Sequence, residues 1–73
     1  MVDFETHMKK LTINGKVVEI KGETVEAMLI ELDVPRQIVA VALNSEIIPR
    51  SEHSKQALNE GDCVEILRPI GGG

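Results

Sequence analysis

The sequence predicts an α+β domain in which one small sheet packs on a single helix. Three observations lead there. An Asn14-Gly15 pair separates two alternating segments, one apolar stripe at helical spacing follows, and the remaining body consists of short strand-like runs between turn residues. Seventy-three residues allow one domain, near the lower end of what a single hydrophobic core stabilises unaided.

The first element is a hairpin. Leu11 and Ile13 alternate with Lys10 and Thr12, the period of a half-buried strand. Asn14-Gly15 suits the two positive-φ positions of a type I′ turn. A two-residue loop there sets Ile13 opposite Lys16, Leu11 opposite Val18 and Lys9 opposite Ile20. That register gathers Leu11, Ile13, Val18 and Ile20 on one face. Lys21-Gly22-Glu23 ends the second strand, and Thr24 is the expected N-cap of a helix. Val25, Met28, Leu29 and Leu32 then fall at i, i+3, i+4 and i+7, one helical face. Glu26 lies in the first turn, where its charge complements the helix dipole. Pro35 argues against continuation beyond Asp33. Such a stripe of Met and Leu reads as core packing rather than a ligand site.

Val39 to Leu43 is almost wholly apolar and reads as a buried strand. Asn44-Ser45 turns it, and Glu46 to Ile48 returns until Pro49. Residues 50–59 are polar and irregular, with one helical turn expected around Ser54 to Leu58. Glu60-Gly61-Asp62 is a turn, and Cys63 to Leu67 is the final strand with Val64 and Ile66 inward. The order is ββαββ, a turn-rich segment and a last β. One sheet on one helix is the arrangement that buries the stripe economically.

Composition excludes several function classes. Phe4 is the single aromatic residue, so the core must be aliphatic and no platform exists for stacking on bases. The formal charge of −4 is also the wrong sign for a phosphate backbone, so no nucleic-acid partner is expected. Cys63 is the one cysteine, which rules out an intramolecular disulfide and favours a reducing cytoplasm. No apolar run approaches a membrane span, so no membrane partner is expected. Residues 1–7 (MVDFETH) lack periodicity and an apolar h-region, and read as a disordered extension rather than a signal peptide. The folded body is expected over residues 8–67 and a flexible tail over residues 68–73.

No constellation in the body suggests catalysis of its own. His7 and His53 are far apart, and neither has a metal-ligand companion at a recognised spacing, so no metal or cofactor is expected. His53 lies between Glu52 and Ser54 and reads as an exposed surface histidine. Ser51 and Ser54 have no nucleophile elbow or distant acid to make a hydrolase of them. Cys63 reads as a packing residue, because free cysteines are mostly buried and inert. Glu19, Glu23 and Glu26 read as a solvated face. Gly15, Gly22 and Gly61 are isolated turn glycines rather than a phosphate-cradling loop.

The end of the sequence is different. Gly71-Gly72-Gly73 follows the last strand by only a few residues and carries no side chains to obstruct a partner's active site. Glycine also accepts backbone angles that other residues avoid, so such a segment can follow a narrow channel. Together with Arg68, Pro69 and Ile70 it would reach roughly 20 Å from the body if extended.

These residues carry a resemblance. The Asn-Gly hairpin, the helix starting at Thr24, Val41-Ala42-Leu43-Asn44 followed by Ile48-Pro49-Arg50, the Glu60-Gly61-Asp62 turn and the final glycines resemble the ThiS family. These are sulfur carriers of thiamine biosynthesis, within the wider β-grasp, ubiquitin-like carriers. The match covers Met8 to Gly73, with the seven-residue extension and a triple rather than double glycine as departures. The resemblance implies a β-grasp fold, a small mixed sheet packed on one helix.

It also implies a carrier rather than an enzyme, working through a cycle centred on the Gly73 carboxylate. A ThiF-like adenylating enzyme would consume ATP to make an acyl-adenylate there. Sulfur from cysteine, delivered by a cysteine desulfurase, would replace AMP to give a thiocarboxylate. A ThiG-like thiazole synthase would take that sulfur. Gly71, Gly72, Ile70 and Arg68 would contact the partners, Arg68 pairing with an acidic groove. The glycine tail leaves other readings open: a sulfur carrier for molybdopterin or another sulfur pathway, a ubiquitin-like protein modifier, or an interaction module with an inert tail.

Overall fold

The structure is a computed structural model that describes residues 8–35 and 39–68. Its elements are β1 (Lys9–Ile13), β2 (Lys16–Ile20), α1 (Val25–Glu31), β3 (Ala40–Leu43), β4 (Glu46–Ile48), a 3-10 turn at Arg50–Glu52, and β5 (Cys63–Leu67). Among the described residues the strands form one sheet in the order β2-β1-β5-β3-β4. β1 and β5 run parallel, and the other neighbouring pairs are antiparallel. The expected element order therefore holds, and the last strand in the sequence occupies the centre of the sheet.

Both hairpins are closed by pairs of residues in the left-handed region. Asn14 and Gly15 have φ of 51° and 86°, as a type I′ turn requires. The register follows: Lys9 faces Ile20, Leu11 faces Val18 and Ile13 faces Lys16. Asn44 and Ser45 repeat the device at φ 50° and 74° and set Leu43 opposite Glu46. Serine has no glycine-like freedom there, so the register of β3 and β4 must hold it in place.

The helix is defined at both ends. The Thr24 backbone is extended, and its hydroxyl accepts the Ala27 N–H at 3.1 Å. The Val25 and Glu26 N–H groups donate to the carbonyls of Gln56 (3.0 Å) and His53 (2.9 Å), and Met28 N–H reaches the Thr24 carbonyl. No amide of the first turn is left unpaired. At the other end Asp33 takes φ 61°, its N–H donating to the Ile30 carbonyl while Val34 N–H donates to the Leu29 carbonyl. This is a Schellman termination with aspartate where glycine is usual, and it stops the helix before Pro35 is reached.

The core forms where α1 meets one face of the sheet. Val25, Met28 and Leu29 are fully buried against Leu11, Ile20, Val41 and Val64. Val18, Leu32, Val34 and Ile66 pack around them, partly buried. Leu58 closes the core from the long connection between β4 and β5, although it lies in a polar stretch. That connection differs from expectation. Its helical turn is the 3-10 turn at Arg50–Glu52, immediately after Pro49, rather than one at residues 54–58. The Pro49 carbonyl accepts the Glu52 N–H at 2.8 Å, so the turn starts as soon as proline has fixed the chain direction.

Gly22 is a close-approach glycine rather than the turn glycine expected of it. A Cβ there would lie 2.9 Å from the carbonyl carbon of Ala27 and 3.0 Å from the Met28 nitrogen. The Lys21 and Gly22 amides, released where β2 ends, donate to the Glu31 carboxylate at 2.8 to 3.1 Å. The segment thus lies directly along the helix backbone.

Two stability changes are expected from this packing. Gly22→Ala forces the helix away and costs about 1–3 kcal/mol. Leu29→Ala opens the core and costs about 2–5 kcal/mol, enough to unfold much of so small a domain. Urea titration followed by circular dichroism checks both, and a Gly22→Ala midpoint equal to the parent's would remove the close approach from the account.

Candidate functional site

The route to the glycines runs through β5. Its buried residue Val64 anchors it to the core, while Cys63, Glu65 and Leu67 point to the opposite face. On one side β5 pairs with β3 from Leu43↔Val64 to Ala40↔Leu67. On the other, the parallel pairing with β1 covers only Thr12↔Cys63 and Ile13↔Val64. Beyond that point β1 has turned away at Asn14. The Asn14 N–H still donates to the Val64 carbonyl at 2.9 Å. Its side chain continues the ladder: Oδ1 accepts the Ile66 N–H at 2.8 Å, and Nδ2 donates to the Ile66 carbonyl at 3.3 Å.

Asn44 has a matching role where β5 begins. Its Oδ1 accepts the Cys63 N–H at 2.9 Å, its Nδ2 donates to Asp62 Oδ1 at 3.1 Å, and its own N–H donates to the Cys63 carbonyl at 2.7 Å. The other Asp62 carboxylate oxygen accepts the Asn59 N–H at 2.8 Å, and Gly61 at φ 87° completes the turn. Turn chemistry alone accounts for an asparagine at either position. These second roles were therefore hidden in the sequence.

Arg68 follows the end of β5 and is exposed. Ile70, Gly71, Gly72 and Gly73 lie outside the described residues, as does His7. Beside the root, Leu67 is exposed on the sheet face turned away from the helix, paired with exposed Ala40. Ile47 is exposed on β4, which also borders β3.

Two residue assignments are corrected. His53 is buried at 2 % exposure rather than lying on the surface. The 3-10 turn directs its ring inward, where Nε2 lies 3.2 Å from the Ile48 carbonyl, and its backbone carbonyl caps the helix through Glu26. It links the connection to the core. Cys63 is exposed rather than packed, because the alternation that sends Val64 and Ile66 inward sends its thiol outward. Ser51 and Ser54, close to the buried histidine in sequence, are exposed; Glu19 and Glu23 are exposed as well, and Glu26 is half-buried. No group of three or more His, Cys, Asp or Glu side chains among the described residues could hold a metal ion. No helix among them is long and apolar enough to cross a membrane.

Among the described residues, a five-stranded mixed sheet closed over one helix, with β5 at its centre, defines a β-grasp domain of the ubiquitin-like type. Comparison with known proteins is specific. The ThiS family model matches residues 11–73, and the chain belongs to that family. It is 34% identical over 65 residues to the sulfur carrier protein ThiS of Bacillus subtilis, covering 86% of this chain and 98% of the relative. It is 48% identical over 65 residues to a thiazole synthase of Paramagnetospirillum magneticum. That match covers 88% of this chain, which spans only 20% of the synthase's length. The crystal structure of the thiamine biosynthesis protein ThiS from Geobacter metallireducens superposes with a TM-score of 0.76 at 35% identity, covering 88% of this chain and 99% of that one.

The exposure of Cys63 has a direct consequence. A thiol reagent such as dithionitrobenzoate should label one equivalent in the native protein, without denaturant. Labelling that appears only on unfolding would return Cys63 to the core.

Proposed function

We propose that the protein is a sulfur carrier for formation of the thiamine thiazole, acting through the carboxylate of Gly73. The observation that carries this reading is the placement of the glycines. In a chain of the ThiS family, they follow within a few residues of the sheet's central strand.

The chemistry suits that placement. A carboxylate with an α-carboxyl pKa of about 3.5 is anionic at neutral pH and is a poor acyl donor. Attack of its oxygen on the α-phosphorus of ATP expels pyrophosphate and leaves a mixed anhydride whose AMP is a good leaving group. Sulfide displaces AMP to give the thiocarboxylate directly. A desulfurase-derived persulfide displaces AMP to give an acyl disulfide, from which attack of a second thiol on the outer sulfur releases the thiocarboxylate and leaves a disulfide. The thiocarboxylate holds sulfur in a transferable form. An adenylating enzyme of the ThiF type, a desulfurase supplying sulfur from cysteine, and a thiazole synthase as acceptor complete the cycle. The extended likeness to part of a thiazole synthase supports that acceptor. The carrier itself holds no cofactor and catalyses no step. Gly71 and Gly72 pass where a Cβ would clash, with Ile70 and Arg68 contacting the partners.

Incubation with the adenylating enzyme, ATP and a sulfide source, followed by intact mass measurement, tests this reading. Replacement of one carboxylate oxygen by sulfur, mapped to Gly73, is the expected result. Deleting Gly73 should abolish it without unfolding the domain, and a bulky residue at Gly72 should block adenylation with circular dichroism unchanged. Thiocarboxylate on the truncated chain would remove Gly73 from its role. Lysine-linked conjugates in place of thiocarboxylate would identify a protein modifier.

A further inference from the structure

We propose that Asn14 is a positioning residue for the glycine tail, fixing the backbone from which the tail departs. The inference rests on the carrier reading above and adds to it a residue more than fifty positions away in sequence.

The argument is geometric. A strand at the centre of a sheet has backbone groups to satisfy on both edges. Along its β3 edge, β5 is paired through Leu67. Along its β1 edge, pairing stops at Ile13↔Val64 because β1 enters its turn. The Ile66 N–H and carbonyl face the space that β1 has left. The Asn14 carboxamide stands in for a peptide unit, accepting from the N–H at 2.8 Å and donating to the carbonyl at 3.3 Å. Its φ of 51° brings the side chain to that edge, so the residue that turns the hairpin also completes the last pairing of β5. Ile66 lies two residues before Arg68, so this contact sets the direction in which the chain leaves the sheet.

The fold contains its own control. Asn44 occupies the same kind of turn, at φ 50°, and binds the β5 backbone at Cys63. That is the end of the strand away from the tail. Removing either carboxamide removes side-chain bonds to β5, but only Asn14 holds the residues that lead to the glycines.

The test compares Asn14→Gly, Asn44→Gly and Asn14→Asp in the full chain, glycine being free to adopt both turns. One measurement is the 15N heteronuclear NOE of Leu67 and Arg68. The other is kcat and KM for the carrier in pyrophosphate release by the adenylating enzyme. Asn14→Gly should lower the NOE at Leu67 and Arg68. It should also raise KM roughly tenfold, the scale set by reordering about one residue on binding, with kcat held within about twofold. Asn44→Gly should leave these values at wild type. Asn14→Asp keeps the acceptor for Ile66 N–H and loses the donor, so it should fall between them. Unchanged order at Leu67 and Arg68 in Asn14→Gly, or an equal KM for the two glycine variants, overturns the proposal. If Asn14→Gly fails to fold, Asn14→Asp decides, and a KM no higher than that of Asn44→Gly overturns it. If the wild-type chain is not adenylated, the carrier reading falls, while the NOE still decides whether Asn14 orders the root.

Discussion

The central position of β5 is the constraint on which the sheet depends. β1 and β2 form one hairpin, β3 and β4 form another, and in the strand order they meet only through β5. A two-stranded hairpin is marginal in water, and neither pair can complete the core alone. The last strand therefore joins two local structures into one sheet, pairing with residues about fifty positions earlier on one side and about twenty earlier on the other. Such contacts incur the loop-closure cost before they return any burial. Val64 provides the return, being buried among residues from both hairpins and the helix.

The connection leading into β5 secures the helix as well. The carbonyls of Gln56 and His53 accept the first two helical amides, those of Val25 and Glu26, and the Glu23 carbonyl accepts the Leu58 N–H at 2.9 Å. Leu58 enters the core beside that contact, and His53 lies buried over the Ile48 carbonyl. The helix N-terminus, a common place for an anion to bind, is thereby saturated by the protein's own backbone. His53 joins the same structure through Nε2 and its backbone carbonyl, while its buried Nδ1 has no partner among the described residues.

Local patterns in the sequence revealed the local structure. Asn14-Gly15 specified a turn and its register, and one turn type with one register fixed which residues faced the helix. The stripe from Val25 to Leu32 and the cap at Thr24 were equally direct. What could not be read is what arises between distant elements. A parallel pairing of β1 with β5 leaves no mark on either strand, and a lone Leu58 in a polar loop has no period to reveal its burial. His53 was misread because its neighbours are polar and a single 3-10 turn is too short to display a face. Cys63 is a different case. Alternation with Val64 and Ile66 already placed it outward, and only a general expectation about cysteine argued otherwise. The glycines and Arg68 stood out as composition, whereas the bonds from Asn14 to Ile66 left no mark in the sequence.

A carrier working as proposed above faces two opposed demands. The reacting end must pass through a channel closed to side chains, which favours glycine and its wide conformational range. Every residue that range frees must be ordered again when a partner binds, at a cost of about 1–2 kcal/mol each. The workable arrangement confines that freedom to the fewest residues and fixes the chain immediately before them. β5 is suited to this because it is the central strand, with two strands on either side, and a turn asparagine extends its pairing past the point where β1 turns away. Backbone pairing and one carboxamide thus hold β5 as far as Ile66 and Leu67. How far along β5 its second edge remains satisfied is set by the residue that turns the first hairpin, fifty-two positions earlier in sequence.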